Sequence, residues 1–253
     1  MYQAGLVLEG GGMKGVYTAG VLDFFLDKGL EFSSVYGVSA GACHMTSYLS
    51  KQRGRALDIS IDYLKSRKYC SVESLLTTGD LFNVQTAYHL VPDYLNPFDY
   101  EAFKKYEGRA YAVATDIEAG TPVYFRIRDV KKDMDAIPIR KSILDGNSKN
   151  VVVLTKEEGF VRQPTTQLPL LKIRYFRYPK VAELMAERHI TYNNTMDYLY
   201  DQQKNGQAFV IRPAEKSNVG RIEKDEDKLK ALYKQGYADA EALYEPLLNY
   251  LES

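Results

Sequence analysis

Two short stretches near the start of the chain carry residue types and spacings that could do chemistry. The first is Gly37-Val38-Ser39-Ala40-Gly41, a G-x-S-x-G pattern. In such a pattern the serine sits on a strained strand-to-helix turn, its hydroxyl projects into a crevice, and the following helix adds its N-terminal dipole. The chemistry is nucleophilic attack on an acyl carbonyl. The second is Gly10-Gly11-Gly12-Met13-Lys14-Gly15, which satisfies G-x-G-x-x-G. Alone it admits three readings: a tight turn that needs glycine for its geometry, a dinucleotide-binding loop, or an oxyanion hole built from N–H groups at a helix N-terminus. The dinucleotide reading demands an acid at the tip of the second strand, about 20 residues on. That strand ends in Tyr36-Gly37-Val38-Ser39, and Glu31 precedes it. The nicotinamide reading fails.

The elements that must position these motifs follow from the apolar pattern. Gly5 to Glu9 reads as a buried strand, Val16 to Lys28 as a helix stopped by Gly29, Phe32 to Tyr36 as a second strand, and the stretch to about Lys51 as a second helix. Strand, turn, helix, repeated, implies a parallel sheet covered by helices. Right-handed crossovers then put both turns at the carboxyl ends of their strands, on one edge of the sheet. Ala110 to Thr115 and Val151 to Thr155 read as later core strands, and Pro122 to Ile127 as a more polar one. Beyond residue 160 we expect a loop at Gln163 to Pro169, a helix from Lys180 to Arg188, a last strand at Phe209 to Arg212, and a charged amphipathic helix from Asp225 to Leu251. The expected organisation is a core over residues 1–160, with 161–253 as a mainly helical part that packs on or completes it.

Composition bounds the function. Lysine plus arginine equals aspartate plus glutamate at 33 each, so no global field argues for nucleic acid. Cys43 and Cys70 make no disulfide framework, and two thiols without a ligand cluster argue against structural zinc. No metal and no cofactor is expected. The apolar run Ala4 to Leu8 is too short to span a bilayer and no basic region precedes it, so the expected location is cytoplasmic, with contact at a membrane surface left open. The 21 tyrosines, beside no tryptophan, have no role at this level.

Gly10 to Gly15 followed by Gly37 to Gly41 resembles the patatin-like phospholipases. Thr115-Asp116, Gly120, Val123 to Phe125 and Gly146 to Thr155 look like the same family. The resemblance covers about residues 5 to 160. It implies a three-layer α/β/α fold with a mainly parallel sheet, and a Ser–Asp dyad that cleaves acyl esters without a histidine. Carried over by position, Ser39 would be the nucleophile. Gly10, Gly11 and Gly12 would form the oxyanion-hole loop, with Met13 and Lys14 beside it and Gly15, Gly37 and Gly41 as motif glycines. Lipid or another acyl ester as substrate is what the resemblance implies.

The base is harder to place. His44 lies five residues past Ser39 on the same helix, roughly 500° around, and so is expected to point away from the turn. His89 and His189 sit in segments without a catalytic signature, and an aspartate fits better than any of the three. In the family that aspartate stands in Asp-Gly-Gly or Asp-Gly-Ala, before a small-apolar-Pro-apolar segment. Ala136-Ile137-Pro138-Ile139 looks like that segment, but Asp129-Val-Lys-Lys-Asp133-Met-Asp135 runs straight into it. A helix, a loop and the aspartate motif are lacking near residue 135. Either a stretch is left out of the sequence, or the chain carries a true deletion, or another aspartate substitutes. Asp135 and Asp145 are the candidates, although Asp145-Gly146 falls after the proline segment and reads first as a turn. One further stretch, Lys172-Ile-Arg174-Tyr-Phe-Arg177-Tyr-Pro-Lys180, interleaves cations with aromatics and could lie on an anionic lipid interface or form a solvated segment. The rival to an acyl hydrolase is a catalytically inactive lipid-binding or regulatory protein; within enzymes, a soluble esterase or thioesterase remains. Oligomeric state is not legible.

Overall fold

The computed structural model of the chain describes residues 1–63, 86–116, 121–127, 139–174, 176, 179–220 and 223–253. β1 (Tyr2–Leu8) runs through the glycine loop and a 3-10 turn at Gly12–Gly15 into α1 (Val16–Asp27). β2 (Phe32–Gly37) turns at Val38-Ser39 into α2 (Ala40–Leu49). α3 (Arg55–Asp62), a π-helical stretch (Thr86–Leu95) and α4 (Tyr100–Lys104) lead to β3 (Arg109–Thr115) and β4 (Pro122–Arg126). α5 (Ile139–Leu144), β5 (Asn150–Val153), α6 (Leu168–Arg174), α7 (Pro179–Lys204), β6 (Ala208–Ile211), α8 (Glu226–Ala242) and α9 (Tyr244–Glu252) follow.

The strand order is β4-β3-β2-β1-β5-β6. Every neighbouring pair is parallel except β3–β4. Strands buried on both faces read as continuous apolar runs, and successive residues feed opposite sides. Leu6, Leu8, Val35, Val151 and Val153 enter one core with Phe24 of α1, Met45 of α2, Leu229 of α8 and Leu247 of α9. Val7, Tyr36, Val152 and Leu154 enter a second core with Ile139 of α5 and Met196 and Leu199 of α7. The result is the expected three-layer α/β/α arrangement around a mainly parallel sheet.

Gly20 of α1 and Gly236 of α8 let those helices meet backbone to backbone. A Cβ on Gly20 would collide with the Tyr233 carbonyl oxygen, and one on Gly236 with that of Tyr17. Three tyrosines then clamp the crossing: Tyr17 donates to Asp239 at 2.8 Å, Tyr233 to Asp23 at 2.7 Å and Tyr237 to Asp27 at 2.8 Å. A tyrosine can bury its ring and still satisfy its hydroxyl on a carboxylate, which gives part of the tyrosine content a structural use.

Three expectations need correcting. The helix expected over Lys180 to Arg188 is the 26-residue α7, Pro179–Lys204. Its second half contains Ile190-Thr-Tyr-Asn-Asn-Thr195, poor helix formers, yet Met196 and Leu199 bury against the sheet and packing overrides propensity. The helix expected over Asp225 to Leu251 breaks at Leu243, with φ −94° and ψ 6°. Pro246, at the third position of α9, cannot continue a helix from α8 because its ring clashes with the carbonyl four residues back. The loop expected at Gln163 to Pro169 gives way to α6 at Leu168.

Candidate active site

Ser39 stands between β2 and α2 with φ 46° and ψ −118°, a backbone state that non-glycine residues seldom adopt. Such a conformation costs on the order of 1–3 kcal/mol and persists only where surrounding structure enforces it. Here the enforcing contacts are the flanking glycines. A Cβ on Gly37 would stand 2.7 Å from the Ala42 nitrogen, and one on Gly41 would stand 2.6 Å from the Leu8 carbonyl oxygen. The turn can therefore close tightly on the end of β1. Ser39 is exposed. It occupies the N-cap of α2, yet its hydroxyl makes no capping hydrogen bond, which leaves it available to a substrate.

The glycine loop lies against this turn. A Cβ on Gly10 would be 3.1 Å from the Ser39 Cβ and 2.7 Å from Val38 Cγ1. Gly12 has φ 59°, which glycine tolerates. Gly11 caps the 3-10 turn by position without a side-chain bond, and the first N–H groups of a helical turn have no partner within it. Met13 and Lys14 lie in that turn and are partly exposed. On its other side a Cβ on Gly11 would be 2.6 Å from Thr155 Oγ1. The loop thus sits between the ends of β2 and β5, on either side of β1, where the sheet order reverses direction. That is the crevice in which open α/β sheets bind ligands. Gly15 closes the loop, with a would-be Cβ 2.7 Å from the Ala40 Cβ.

A buried carboxylate that the sequence reading missed anchors this region. Glu9, at the end of β1, accepts hydrogen bonds from the Thr155 backbone N–H at 2.6 Å, from Thr155 Oγ1 at 2.9 Å and from the Tyr192 hydroxyl at 3.1 Å. Burial and the neighbouring Glu9 charge push the Tyr192 phenol up, so it stays a donor. The signal was available only in part: an acid directly after a buried strand is visible, but its partners lie 146 and 183 residues away.

The other expected residues divide. His44 is buried and its ring meets Gly15, whose would-be Cβ lies 3.0 Å from Nε2. It packs at the base of the glycine loop, and burial pushes its pKa down to about 4, which leaves a weak base. His189 Nδ1 lies 2.9 Å from the Ala186 carbonyl oxygen on α7. The His89 side chain, Cys70, Asp129, Asp133 and Asp135 lie outside the described residues. Asp145 follows α5 in a turn completed by Gly146 at φ 90°. Its carboxylate takes a 2.8 Å hydrogen bond from the Tyr36 hydroxyl and pairs with Lys141. It precedes β5 on the edge where the parallel strands begin, whereas Ser39 follows β2 on the edge where they end. The structure does not bring the two together.

A separate cleft of about 430 Å³ opens between α6 and α7, lined by Leu168, Phe176, Ala182 and Ala186 among others. It contains no nucleophile and Ser39 does not line it, so volume alone does not locate the chemistry. Among the described residues no cluster of histidine, cysteine and acidic side chains could hold a metal ion, and no helix is long and apolar enough to cross a membrane.

Comparison with known proteins bears on the same stretch. A family model described as patatin-like phospholipase matches residues 6–166, and one described as a domain of unknown function (DUF6363) matches residues 178–252. The uncharacterized protein YjjU of Escherichia coli (strain K12) is 34% identical over 80 residues, which is 31% of this chain and 22% of that protein's length. The first match takes in more than half of the chain, including both glycine motifs. The chain belongs to the patatin-like phospholipase family.

Proposed function

We propose that the protein is a serine acyl hydrolase that cleaves fatty acyl esters through an acyl-enzyme on Ser39. The observation that carries the reading is an exposed serine hydroxyl, held at positive φ, against a loop of three glycines. Ser39 Oγ attacks the ester carbonyl while its proton passes to a carboxylate base. The oxyanion forms against N–H groups of the Gly10–Met13 loop. The alcohol leaves with the proton, and water, activated by the same carboxylate, releases the fatty acid. Long acyl chains suit such a site, since each buried methylene contributes about 0.8 kcal/mol. The base we assign to the aspartates that lead into α5, with Asp135 first, because Asp145 is engaged elsewhere.

Exposed Leu170 and Ile173 of α6 and Phe176 just beyond it, with Lys172 among them, would give such a hydrolase a transient hold on a lipid surface. This reading makes it a cytoplasmic protein at the membrane periphery.

The shortened approach to α5 favours a second reading, in which the protein binds lipid but lacks the base. A fluorophosphonate probe separates the two, because it reacts only with an activated serine. Labelling of the native protein at Ser39, absent in Ser39→Ala and lost in Asp135→Asn, supports the hydrolase. A folded native protein that takes up no probe supports the binding protein.

A further inference from the structure

The glycine loop carries no side chain at residues 10–12, and glycine loses more conformational freedom on ordering than any other residue. Whatever aims its N–H groups must come from its neighbours. Gly10 rests on Val38 and Ser39, and Gly11 on Thr155. Thr155 does two things at once. Its side chain walls off Gly11, whose would-be Cβ lies 2.6 Å from Oγ1, 3.0 Å from Cβ and 3.1 Å from Cγ2. Its hydroxyl donates to Glu9 Oε2 at 2.9 Å, beside its backbone N–H at 2.6 Å. Glu9 stands directly before the loop and is buried, and its own N–H donates to the Val153 carbonyl oxygen at 2.9 Å. The Glu9 carbonyl oxygen also packs on the serine turn, 2.9 Å from a would-be Cβ on Gly41.

Tyr192 completes these contacts from α7. Its hydroxyl donates to Glu9 Oε1 at 3.1 Å, which leaves Oε2 to Thr155. Hydrogen bonds to both oxygens fix a terminal torsion that is broad in a free glutamate. The tyrosine is itself held: Phe160 meets its ring edge-on, with centres 5.8 Å apart, and the Arg162 guanidinium lies 4.2 Å from its centre. Asn193, the next residue of α7, exchanges two hydrogen bonds with the Arg162 backbone, at 2.9 and 3.2 Å. α7 thus grips both the residue before the glycine loop and the segment that follows β5. It lies beyond residues 6–166, the stretch that carries both glycine motifs and matches the patatin-like model.

We propose that Tyr192, Glu9 and Thr155 are positioning residues, a brace of hydrogen bonds by which α7 sets the N–H groups of the Gly10–Met13 loop for the oxyanion. The inference rests on the hydrolase reading above. Tyr192 acts through Glu9, and Glu9 acts through Thr155 and through its own peptide bond to Gly10. Preorganised donors favour the transition state over the bound ester. Loosening the brace therefore lowers kcat and leaves KM where it was.

The test compares two tyrosine-to-phenylalanine changes in the full-length protein. Tyr192→Phe should lower kcat for a nitrophenyl ester by about tenfold, part of the 10²–10³ that follows loss of a whole oxyanion donor, with KM unchanged. Tyr233→Phe removes a similar bond, the 2.7 Å one to Asp23 where α1 crosses α8; it should lower the thermal midpoint and keep the native kcat. Thr155→Ser retains the hydroxyl and should retain most of the rate, whereas Thr155→Val retains the shape and should lose as much as Tyr192→Phe. A Tyr192→Phe kcat within about twofold of native, a loss carried by KM, or an equal loss in Tyr233→Phe overturns the brace. Amide exchange keeps its failure apart from that of the hydrolase reading. The Thr155 N–H, which donates to Glu9, should exchange with solvent about tenfold faster in Tyr192→Phe and at the native rate in Tyr233→Phe. Should the native protein neither cleave the ester nor take up a fluorophosphonate, the hydrolase reading falls and exchange alone decides whether α7 holds the loop: an unchanged Thr155 rate ends the proposal.

Discussion

A side chain on Gly10 would place its Cβ 3.1 Å from that of Ser39. The two residues come from different strand ends, and only the absence of a side chain at one lets the other stand so close to a row of backbone N–H groups. The chemistry we propose depends on that approach, and so do the first expectations below.

Ser39→Ala should bring hydrolysis of a nitrophenyl ester to background with little change in stability, since alanine inherits the same backbone strain. Ser39→Gly should be equally inactive but more stable, by about 1 kcal/mol, because glycine accepts φ 46° without cost. Thermal midpoints of the two variants, measured side by side, check this; a glycine variant no more stable than the alanine one would show that the turn is not strained.

Gly10→Ala should lower turnover by about 10²–10³, the loss typical of a displaced oxyanion donor, because its Cβ meets the Val38 carbonyl oxygen at 3.0 Å and the loop must retreat. Gly29→Ala is the comparison, since open space surrounds that position although its φ of 63° is strained; it should cost stability and not rate. Steady-state kinetics on both variants separates the effects.

Tyr192→Phe should leave one Glu9 oxygen without its donor and cost about 1–3 kcal/mol of stability. Glu9→Gln replaces an acceptor of three hydrogen bonds by a group that can accept at only one atom, and should cost at least as much. Urea unfolding of the pair and of the double variant gives the coupling; strict additivity would mean the hydrogen bond is not formed.

His44 should make stability fall with acid. Unfolded, its imidazole takes up a proton near pH 6.5; folded, burial delays that to about 4. Between those values the unfolded chain binds more protons, so stability is lost as pH drops through the window, by roughly 3 kcal/mol in all. Asp23 and Asp239, whose carboxyls burial pushes up, act in the opposite sense. The difference in unfolding free energy between the native protein and His44→Gln, followed from pH 7 to 4, isolates the histidine. A difference that stays constant with pH would contradict the assignment.

The strands, the two tight turns and Ser39 were legible because each rests on local chemistry: apolar runs of strand length, glycine where chains must touch, a serine between them. What escaped the sequence is non-local. Glu9, Thr155 and Tyr192 meet only after β1 and β5 have paired and α7 has crossed the sheet. The length of α7 depends on Met196 and Leu199 finding the second core, a fact of packing that weak helix formers concealed. Pro246, in contrast, stood in plain view, and the break it forces between α8 and α9 follows from its missing N–H. The partners of Tyr17, Tyr233 and Tyr237 become visible only once Gly20 and Gly236 have been brought face to face.

β6 belongs to the third of the chain beyond the patatin match, yet it is hydrogen-bonded along β5, with Val153 beside Ile211. A fragment ending at residue 166 would bare the amide rim of β5, a stretch of three valines, to any passing strand. Such a fragment should cluster in solution and yield misleading assays, so work on the patatin-matched part requires the whole polypeptide.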